Sequence, residues 1–481
     1  MHNERRILLN TTVLSTFEGL SQLANLLLIV SFARTFGTRV MGYYSVGMSA
    51  GAVAAIFVGM GIPSLLIREI SQNPDCANDR IAVLFPVQLL LTPIAWVAAC
   101  VVGDLLIGTS AGSAVVMAAA GYQVLLPMAL LLLVPLQALE HMAVFASCML
   151  AHRLLTLILG LLAIWLGFSA STVALAFIVG AVVLLLLAWI QASRYIGRLR
   201  LRWRPSEARQ LYREAAPFFG LSALGTLYGR GSTIVLSALT TAHTVGLYAA
   251  ADRLLIPLGL GPSMFNAAAY PALARVTHSS LEEARALSAR CLRLLLVVAI
   301  PLAAFTAIFA VDIVRLFFGT GYLAAAPALQ ILAWAMPIRA AQALFGSQLA
   351  AMKQQSAQAR ARFLALCLFL VLLPVLILSR GFVGAAWAVL ICDALQLSLW
   401  WSLLRKAGAA PTLTAPFLAP AAAATVTAGV NFLLTDISLV LRLIVAAVVM
   451  VAGLWAFGAI KMHDLRFLRA LMASKKAQPQ A

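Results

Sequence analysis

The chain has 481 residues, of which 63% are hydrophobic and only 10% are Asp, Glu, Lys or Arg, and its mean hydropathy is +0.98. A water-soluble globule of this length cannot cover so much apolar surface, which excludes a compact soluble enzyme. The net charge of +18 would suit nucleic acid, but the basic residues sit in short gaps between apolar blocks. That pattern orients a membrane protein, so no nucleic-acid partner is expected.

The apolar blocks have the length of roughly 20 residues that a helix needs to cross the hydrocarbon core, and none alternates as an outer-membrane strand would. The predicted fold is an all-α polytopic membrane protein with about fourteen transmembrane helices. In chain order they lie near 10–34, 41–67, 81–103, 114–138, 154–168, 172–193, 215–239, 245–272, 292–317, 325–350, 363–379, 383–403, 413–434 and 438–460. The start, MHNERRILLN, runs directly into the first of these, which is expected to act as its own signal. Most of the 34 Lys and Arg then fall on one side, in the two tails and in the gaps that hold Arg68, Arg80, Arg153, Arg275, Lys353 and Arg405. Only Arg34, Arg39, Arg315 and Arg380, with Arg442 close by, fall on the other. This asymmetry predicts cytoplasmic amino and carboxyl termini.

The largest polar gap, RYIGRLRLRWRPSEARQLYRE, spans 194–214 and divides the chain near its middle. It reads either as an orientation signal and linker or as a segment lying on anionic lipid. The halves on either side look like copies. In SFARTFGTRVMGYYSVG and SALTTAHTVGLYAAADR, Gly42 and Tyr44 match Gly246 and Tyr248 at an offset of 204. Six spans intervene, so both copies run in the same sense, as in a parallel repeat about an axis along the membrane normal. The expected organisation is a six-helix lobe over 1–193, a basic cytoplasmic linker over 194–214 and a second six-helix lobe over 215–405. Two additional transmembrane helices over 406–460 and a basic cytoplasmic tail over 461–481 complete it.

Polar residues inside the spans carry the functional signal. In the first span Thr11, Ser15, Glu18, Gln22 and Asn25 recur every three or four residues, on one helical face. In the seventh span Ser222, Thr226, Arg230, Thr233 and Ser237 do the same. At the offset of 204, Glu18 matches Ser222 and Gln22 matches Thr226. Interhelical hydrogen bonding accounts for the hydroxyls. It accounts poorly for Glu18 and Arg230, because a charge at the bilayer centre costs at least a few kcal/mol, so a shared water-filled cavity is expected.

Asp252 and Arg253 adjoin inside the eighth span but point about 100° apart, so they do not simply neutralise each other. Arg253 either pairs with an acid on another helix, such as Asp312 or Asp393, or lines the path of an anionic substrate, for which a guanidinium fork is suited. Arg339, in AWAMPIRAAQALFG, is open to the same two readings. Arg34 is either an interfacial anchor or a substrate contact. Glu18, Asp252 and Asp393 are the candidates for coupling to H+ or Na+, since an intramembrane carboxylate can change charge. The six Cys (76, 100, 148, 291, 367 and 392) are scattered without CxxC spacing, so neither metal nor disulfides are indicated. No GxxxxGK[ST], GxSxG or HExxH occurs. No cofactor and no enzymatic centre are expected.

FARTFGTRVMGYYSVG followed by GMGIPSLLIREIS resembles the opening of the polysaccharide-biosynthesis flippases. So does APFFGLSALGTLYGRGSTIVLSAL followed by TVGLYAAADRLLIPLGLGPSMFNAAAYPALARV, and RGFVGAAWAVLICDAL resembles their twelfth span. These are O-antigen and exopolysaccharide lipid flippases of the multidrug/oligosaccharidyl-lipid/polysaccharide exporter superfamily. The resemblance covers about residues 7–405. It implies two pseudosymmetric six-helix lobes in a V around a cavity, here with two further helices. It implies flipping of an undecaprenyl-diphosphate-linked oligosaccharide across the bacterial plasma (inner) membrane, by alternating access. The diphosphate would meet Arg230, Arg253, Arg339 and Arg34, and the glycan would lie along Ser15, Glu18, Gln22, Asn25, Ser222, Thr226 and Thr233. Membrane lipids, glycosyltransferases and a polysaccharide polymerase are the implied partners. The chain departs from the pattern at Ser232, where many relatives carry Asp, and in exceeding twelve spans. Rival readings are a lipid II flippase, an ion-coupled multidrug antiporter, and a polytopic polysaccharide polymerase or ligase. The antiporter would favour an acidic cavity. The polymerase or ligase would need a large outer loop, and every outer gap here is short.

Overall fold

A computed structural model describes residues 2–411, 414–434 and 437–459; the expected cytoplasmic tail over 461–481 lies outside them. All regular structure among the described residues is helical. In order the helices are α1 (His2–Gly59), α2 (Ile62–Gln72), α3 (Ala77–Ile107), α4 (Ser113–Ala138), α5 (Met142–Trp165), α6 (Ala170–Tyr195), α7 (Pro205–Leu239) and α8 (Ala242–Leu258). There follow α9 (Leu260–Ser279), α10 (Leu281–Ile308), α11 (Ala310–Phe318), α12 (Ala326–Ala333), α13 (Ala335–Ala351), α14 (Gln355–Lys406), α15 (Thr414–Leu433) and α16 (Leu439–Ala456). Helices dominate because hydrocarbon offers no partner to a backbone N–H or C=O, and a helix satisfies both internally.

Nine helical stretches among the described residues are long and apolar enough to cross a membrane, and 417–433 is a shorter apolar helix. Two of the nine, α1 and α14, are each broken at a glycine. Gly37 takes φ 76° and ψ 179°. Beyond it the chain folds back, for the rings of Phe32 and Tyr44 lie 5.5 Å apart, where a straight helix would separate them by roughly 18 Å. Gly381 takes φ 59°, and beyond it Gly384 packs so closely on the Leu376 carbonyl that a Cβ there would overlap it. Each break thus turns one helix into the hairpin of two spans that the hydropathy predicts.

One predicted boundary is corrected. The fifth span was expected over 154–168, yet α5 begins at Met142. His152 and Arg153 depress the local hydropathy, but the helix runs through them, and each side chain finds a partner there. The Nδ1 of His152 bonds the Met149 carbonyl, and Arg153 reaches Asn25. Arg153 therefore lies eleven residues inside a helix rather than in a loop before one.

The chain divides into two compact units. The first comprises residues 1–253 with 317–322 and 373–385. Its core is built on Ile62, Leu65, Leu84, Leu131, Leu132 and Leu184, all fully buried. The second comprises, among the described residues, 254–316, 323–372 and those from 386 to 459, and its core gathers Leu292, Ile300, Leu344, Phe345 and Leu404. Within it a buried polar chain runs from Ser288 Oγ to Gln348 Oε1 (2.9 Å) and from Gln348 Nε2 to the Ala409 carbonyl (2.9 Å).

Both copies of the repeated motif fall in the first unit, where they meet reciprocally. A Cβ on Gly42 would overlap the Ala242 carbonyl, and a Cβ on Gly246 would overlap the Thr38 carbonyl. Ala242 and Gly246 are Thr38 and Gly42 displaced by the repeat offset of 204. Thr38 Oγ1 also lies 2.6 Å from His243 Nδ1. The seam is therefore the contact expected across a local two-fold between the copies, and it is closed mainly by backbone on backbone.

The basic segment between α6 and α7 is tied down. Asn78 Nδ2 donates to the carbonyls of Ile196 (2.8 Å) and Arg198 (3.2 Å), and the Arg202 N–H donates to the Ala82 carbonyl at 2.9 Å. The Arg202 guanidinium pairs with Asp79 at 2.8 Å. Residues 196–204 thus form a non-helical strap across the start of α3.

Candidate functional site

The first unit places three guanidinia around two buried tyrosines. Tyr44 comes from α1 beyond its break and Tyr122 from α4; both are 1% exposed. Phe177 of α6 joins them, its ring 5.2 Å from that of Tyr44 and 5.6 Å, edge-on, from that of Tyr122. At one end of this aromatic row the Arg253 guanidinium lies 5.6 Å from the Tyr44 centroid. At the other end Arg153 lies 5.7 Å from the Tyr122 centroid and donates to Asn25 Oδ1 at 3.3 Å. Arg230 of α7 is half-buried and within electrostatic reach of Arg253, Asp252 and Tyr44. Tyr44 is in turn within reach of Arg253, Arg153 and Arg230.

The balance of donors and acceptors sets what this site can do. Among the described residues, no carboxylate lies within ion-pair distance of Arg153, Arg230 or Arg253. The hydroxyls of Tyr44 and Tyr122 are buried and have no hydrogen-bond partner there. A guanidinium over an aromatic ring gains about 0.5–2 kcal/mol, which does not offset the cost of a charge placed inside a membrane. The site therefore offers donors in excess of acceptors. Such a place suits an anion with several oxygens, since planar guanidinium forks match phosphate or carboxylate geometry.

The polar stripes run along α1 and α7, the helices that carry Tyr44 and Arg230. Glu18 accepts from Gln22 Nε2 at 2.7 Å along the same helix, and Asn25, one turn further, holds Arg153. The side chain of Ser15 lies outside the described residues. Ser222 and Thr226 of α7 line a cavity of about 290 Å³ with Gly61, Ser64 and Pro127. Thr233 lies half-buried further along α7. On the other side of the contact between α1 and α7, a groove of about 460 Å³ is almost wholly apolar, lined by Phe57, Ile94, Val102, Leu227 and Ile234 among others.

The remaining predicted residues have other partners. Arg34 is exposed, and its Nε donates to the Phe317 carbonyl at 2.7 Å. Beside it the Tyr322 hydroxyl donates to the Ala33 carbonyl at 3.2 Å. In the second unit Arg339 Nε pairs with Asp393 Oδ2 at 2.8 Å, and the Asp393 carbonyl accepts from Gln342. Asp393 is thus the partner of Arg339, and Arg253 lies instead over a tyrosine ring. Among the described residues no cluster of His, Cys, Asp and Glu is arranged to hold a metal ion. Arg153, Tyr44 and Tyr122 are the site residues that sequence reasoning missed. Apolar residues extend for about a dozen positions on both sides of Arg153, but the adjacent His152 makes the pair read as a polar gap.

A family model described as polysaccharide biosynthesis protein matches residues 7–277. No curated protein matches the chain. Among solved structures, the lipid II flippase MurJ in an inward closed conformation aligns with a TM-score of 0.75 at 13% identity, over 94% of this chain and 99% of that one. An inward-facing multidrug resistance transporter of the MATE family and MOP superfamily aligns with a TM-score of 0.64 at 16% identity, over 81% of this chain and 94% of that one. A MOP superfamily transporter from Pyrococcus furiosus, described as having a binding pocket of reverse polarity, gives 0.58 at 15% identity, over 84% and 94%. The chain therefore has the all-helical fold of these transporters.

Proposed function

The chain belongs to the polysaccharide biosynthesis protein family, and from that membership we propose that it flips a polyprenyl-diphosphate-linked oligosaccharide from the cytoplasmic to the outer leaflet of the bacterial plasma membrane. The observation that carries this reading is the donor-rich site formed by Arg153, Arg230 and Arg253 with Tyr44 and Tyr122. A diphosphate supplies the acceptor oxygens that the site lacks. The glycan lies along the polar face of Gln22, Ser222 and Thr226, and the hydrocarbon tail stays in lipid. No covalent chemistry is involved. The step is one of binding, change of access and release, and Glu18 and Asp252 are the candidates for coupling it to H+ or Na+. Both termini are cytoplasmic, and the polymerase and glycosyltransferases of the same polysaccharide are the natural partners.

Lipid II flipping is the second reading. It is favoured by the extent of the similarity to MurJ, which takes in 94% of this chain against 81% for the MATE transporter. A conditional deletion separates the two. Loss of a surface polysaccharide in cells with an intact wall, reversed by the wild-type gene, is the expected result. Lysis with arrested wall synthesis would assign the chain to lipid II instead. An unchanged surface polysaccharide together with normal wall synthesis would overturn both.

A further inference from the structure

The strap between α6 and α7 presents a surface that the transport site does not use. We infer that residues 194–213 form a docking surface for anionic phospholipid headgroups of the cytoplasmic leaflet, separate from the substrate site. The stretch 194–214 carries seven arginines against two glutamates. Two of the seven are engaged, Arg202 with Asp79 and Arg204 with Glu207. The side chains of Arg194, Arg198, Arg200, Arg209 and Arg213 are exposed, and among the described residues none has a carboxylate within ion-pair distance.

The strap is built so that its charges cannot turn inward. Its inner side is anchored by the Asn78 and Ala82 hydrogen bonds and by Ile196 and Leu199, which pack on the core of the first unit. Leu201 and Trp203 stand outward, 47% and 61% exposed. They are two residues apart in extended chain and so share a side. Where α7 begins, Ala208 and Leu211 face the core, and Arg209 and Arg213, four residues apart, share the outer face.

Outward Trp and Leu among arginines form the composition of a membrane interface. The indole sits at headgroup level, and each guanidinium gains from the negative surface potential of the inner leaflet. Position favours lipid over a soluble acidic partner. The strap continues directly from the end of α6, a helix long and apolar enough to cross a membrane, so it emerges beside the headgroups. The proposal does not rest on the flippase reading.

The test uses the full chain in detergent, with phosphatidylglycerol and phosphatidylcholine as probes and native mass spectrometry as the readout. The wild type is expected to retain phosphatidylglycerol in preference to phosphatidylcholine, with retention falling as salt rises. The quadruple variant R198Q/R200Q/R209Q/R213Q should lose about tenfold or more in phosphatidylglycerol affinity with an unchanged melting temperature. R230A/R253A should keep it, which separates this surface from the transport site. Equal retention of both lipids by the wild type, or undiminished phosphatidylglycerol binding by a folded quadruple variant, would overturn the proposal. If the quadruple variant unfolds, R209Q/R213Q, on helix α7 outside the strap's backbone bonds, must still show reduced binding.

Discussion

The guanidinium of Arg253 rests 5.6 Å from the centroid of the Tyr44 ring, so a charge carried by the second copy of the repeat is held by an aromatic side chain of the first. At the repeat offset of 204, the partner position of Arg253 is Ser49. The cation thus has no counterpart in the first copy, and the site it helps to build is asymmetric.

Removing that cation should impair transport without unfolding the protein. Arg230→Ala and Arg253→Ala are each expected to lower flipping of a fluorescent polyprenyl-diphosphate oligosaccharide in proteoliposomes by roughly tenfold to a hundredfold, the worth of a charge-assisted hydrogen bond. Membrane levels should stay normal. Wild-type flipping by both variants would dismiss the donor-rich site as the diphosphate seat.

Arg153 gives a sharper test, because its geometry is fixed by Asn25 and Tyr122. Arg153→Ala should lose flipping to a similar extent. Arg153→Lys should not restore it, since an ammonium lacks the planar fork. Asn25→Ala, which frees the guanidinium without removing it, should have the smaller effect. Full rescue by lysine would mean that only charge matters at this position.

The wet and dry faces of α7 can be told apart chemically. A cysteine introduced at Ser222, on the polar cavity, should react with a charged, membrane-impermeant thiol reagent in inside-out vesicles. One introduced at Leu227, on the apolar groove, should not. Equal reactivity at the two positions would remove the argument for a water-filled path along the stripe.

The Arg339–Asp393 pair is expected to act on stability. Asp393 is 2% exposed and Arg339 46% exposed, so solvent screens the pair and its worth falls below the 3–5 kcal/mol of a fully buried one. Arg339→Ala, which leaves a buried carboxylate with fewer partners, should cost about 1–3 kcal/mol. Arg339→Ala/Asp393→Ala should recover part of that in a double-mutant cycle followed by thermal unfolding. Additive losses would show that the two do not interact.

Much of this was legible in the sequence, for reasons that lie in the physics. Hydropathy fixes the helices because lipid leaves the backbone no alternative. The offset that pairs Gly42 with Gly246 was visible because both positions must stay small at the same seam. Arg253 was visible because a charge is conspicuous in an apolar block, although its neighbour was not. An aromatic ring carries no formal charge, so a search for counter-ions pointed to Asp312 and Asp393 and passed over Tyr44. Arg153 was hidden for the opposite reason. His152 and Arg153 lower the local hydropathy enough to look like a gap, and only tertiary contacts with Asn25 and Tyr122 show that the helix continues through them.

The glycine seam makes its own prediction. Gly42→Val and Gly246→Val each drive carbons into an opposing carbonyl and should cost about 1–3 kcal/mol by overpacking, seen as a lowered melting temperature. If both behave as wild type, the contact is not a closed one.

The same seam constrains how the two motifs can differ. A residue elsewhere in the repeat can change in one copy alone, as the positions of Ser49 and Arg253 have, and the molecule gains an asymmetric wall. A glycine in the seam has the matching glycine's motif as its neighbour, so both motifs are held to small residues there. Any enlargement on one side is met by the backbone of the other, which no change of side chain there can remove. The two motifs thus meet at a place where neither backbone leaves room for a larger side chain on the other.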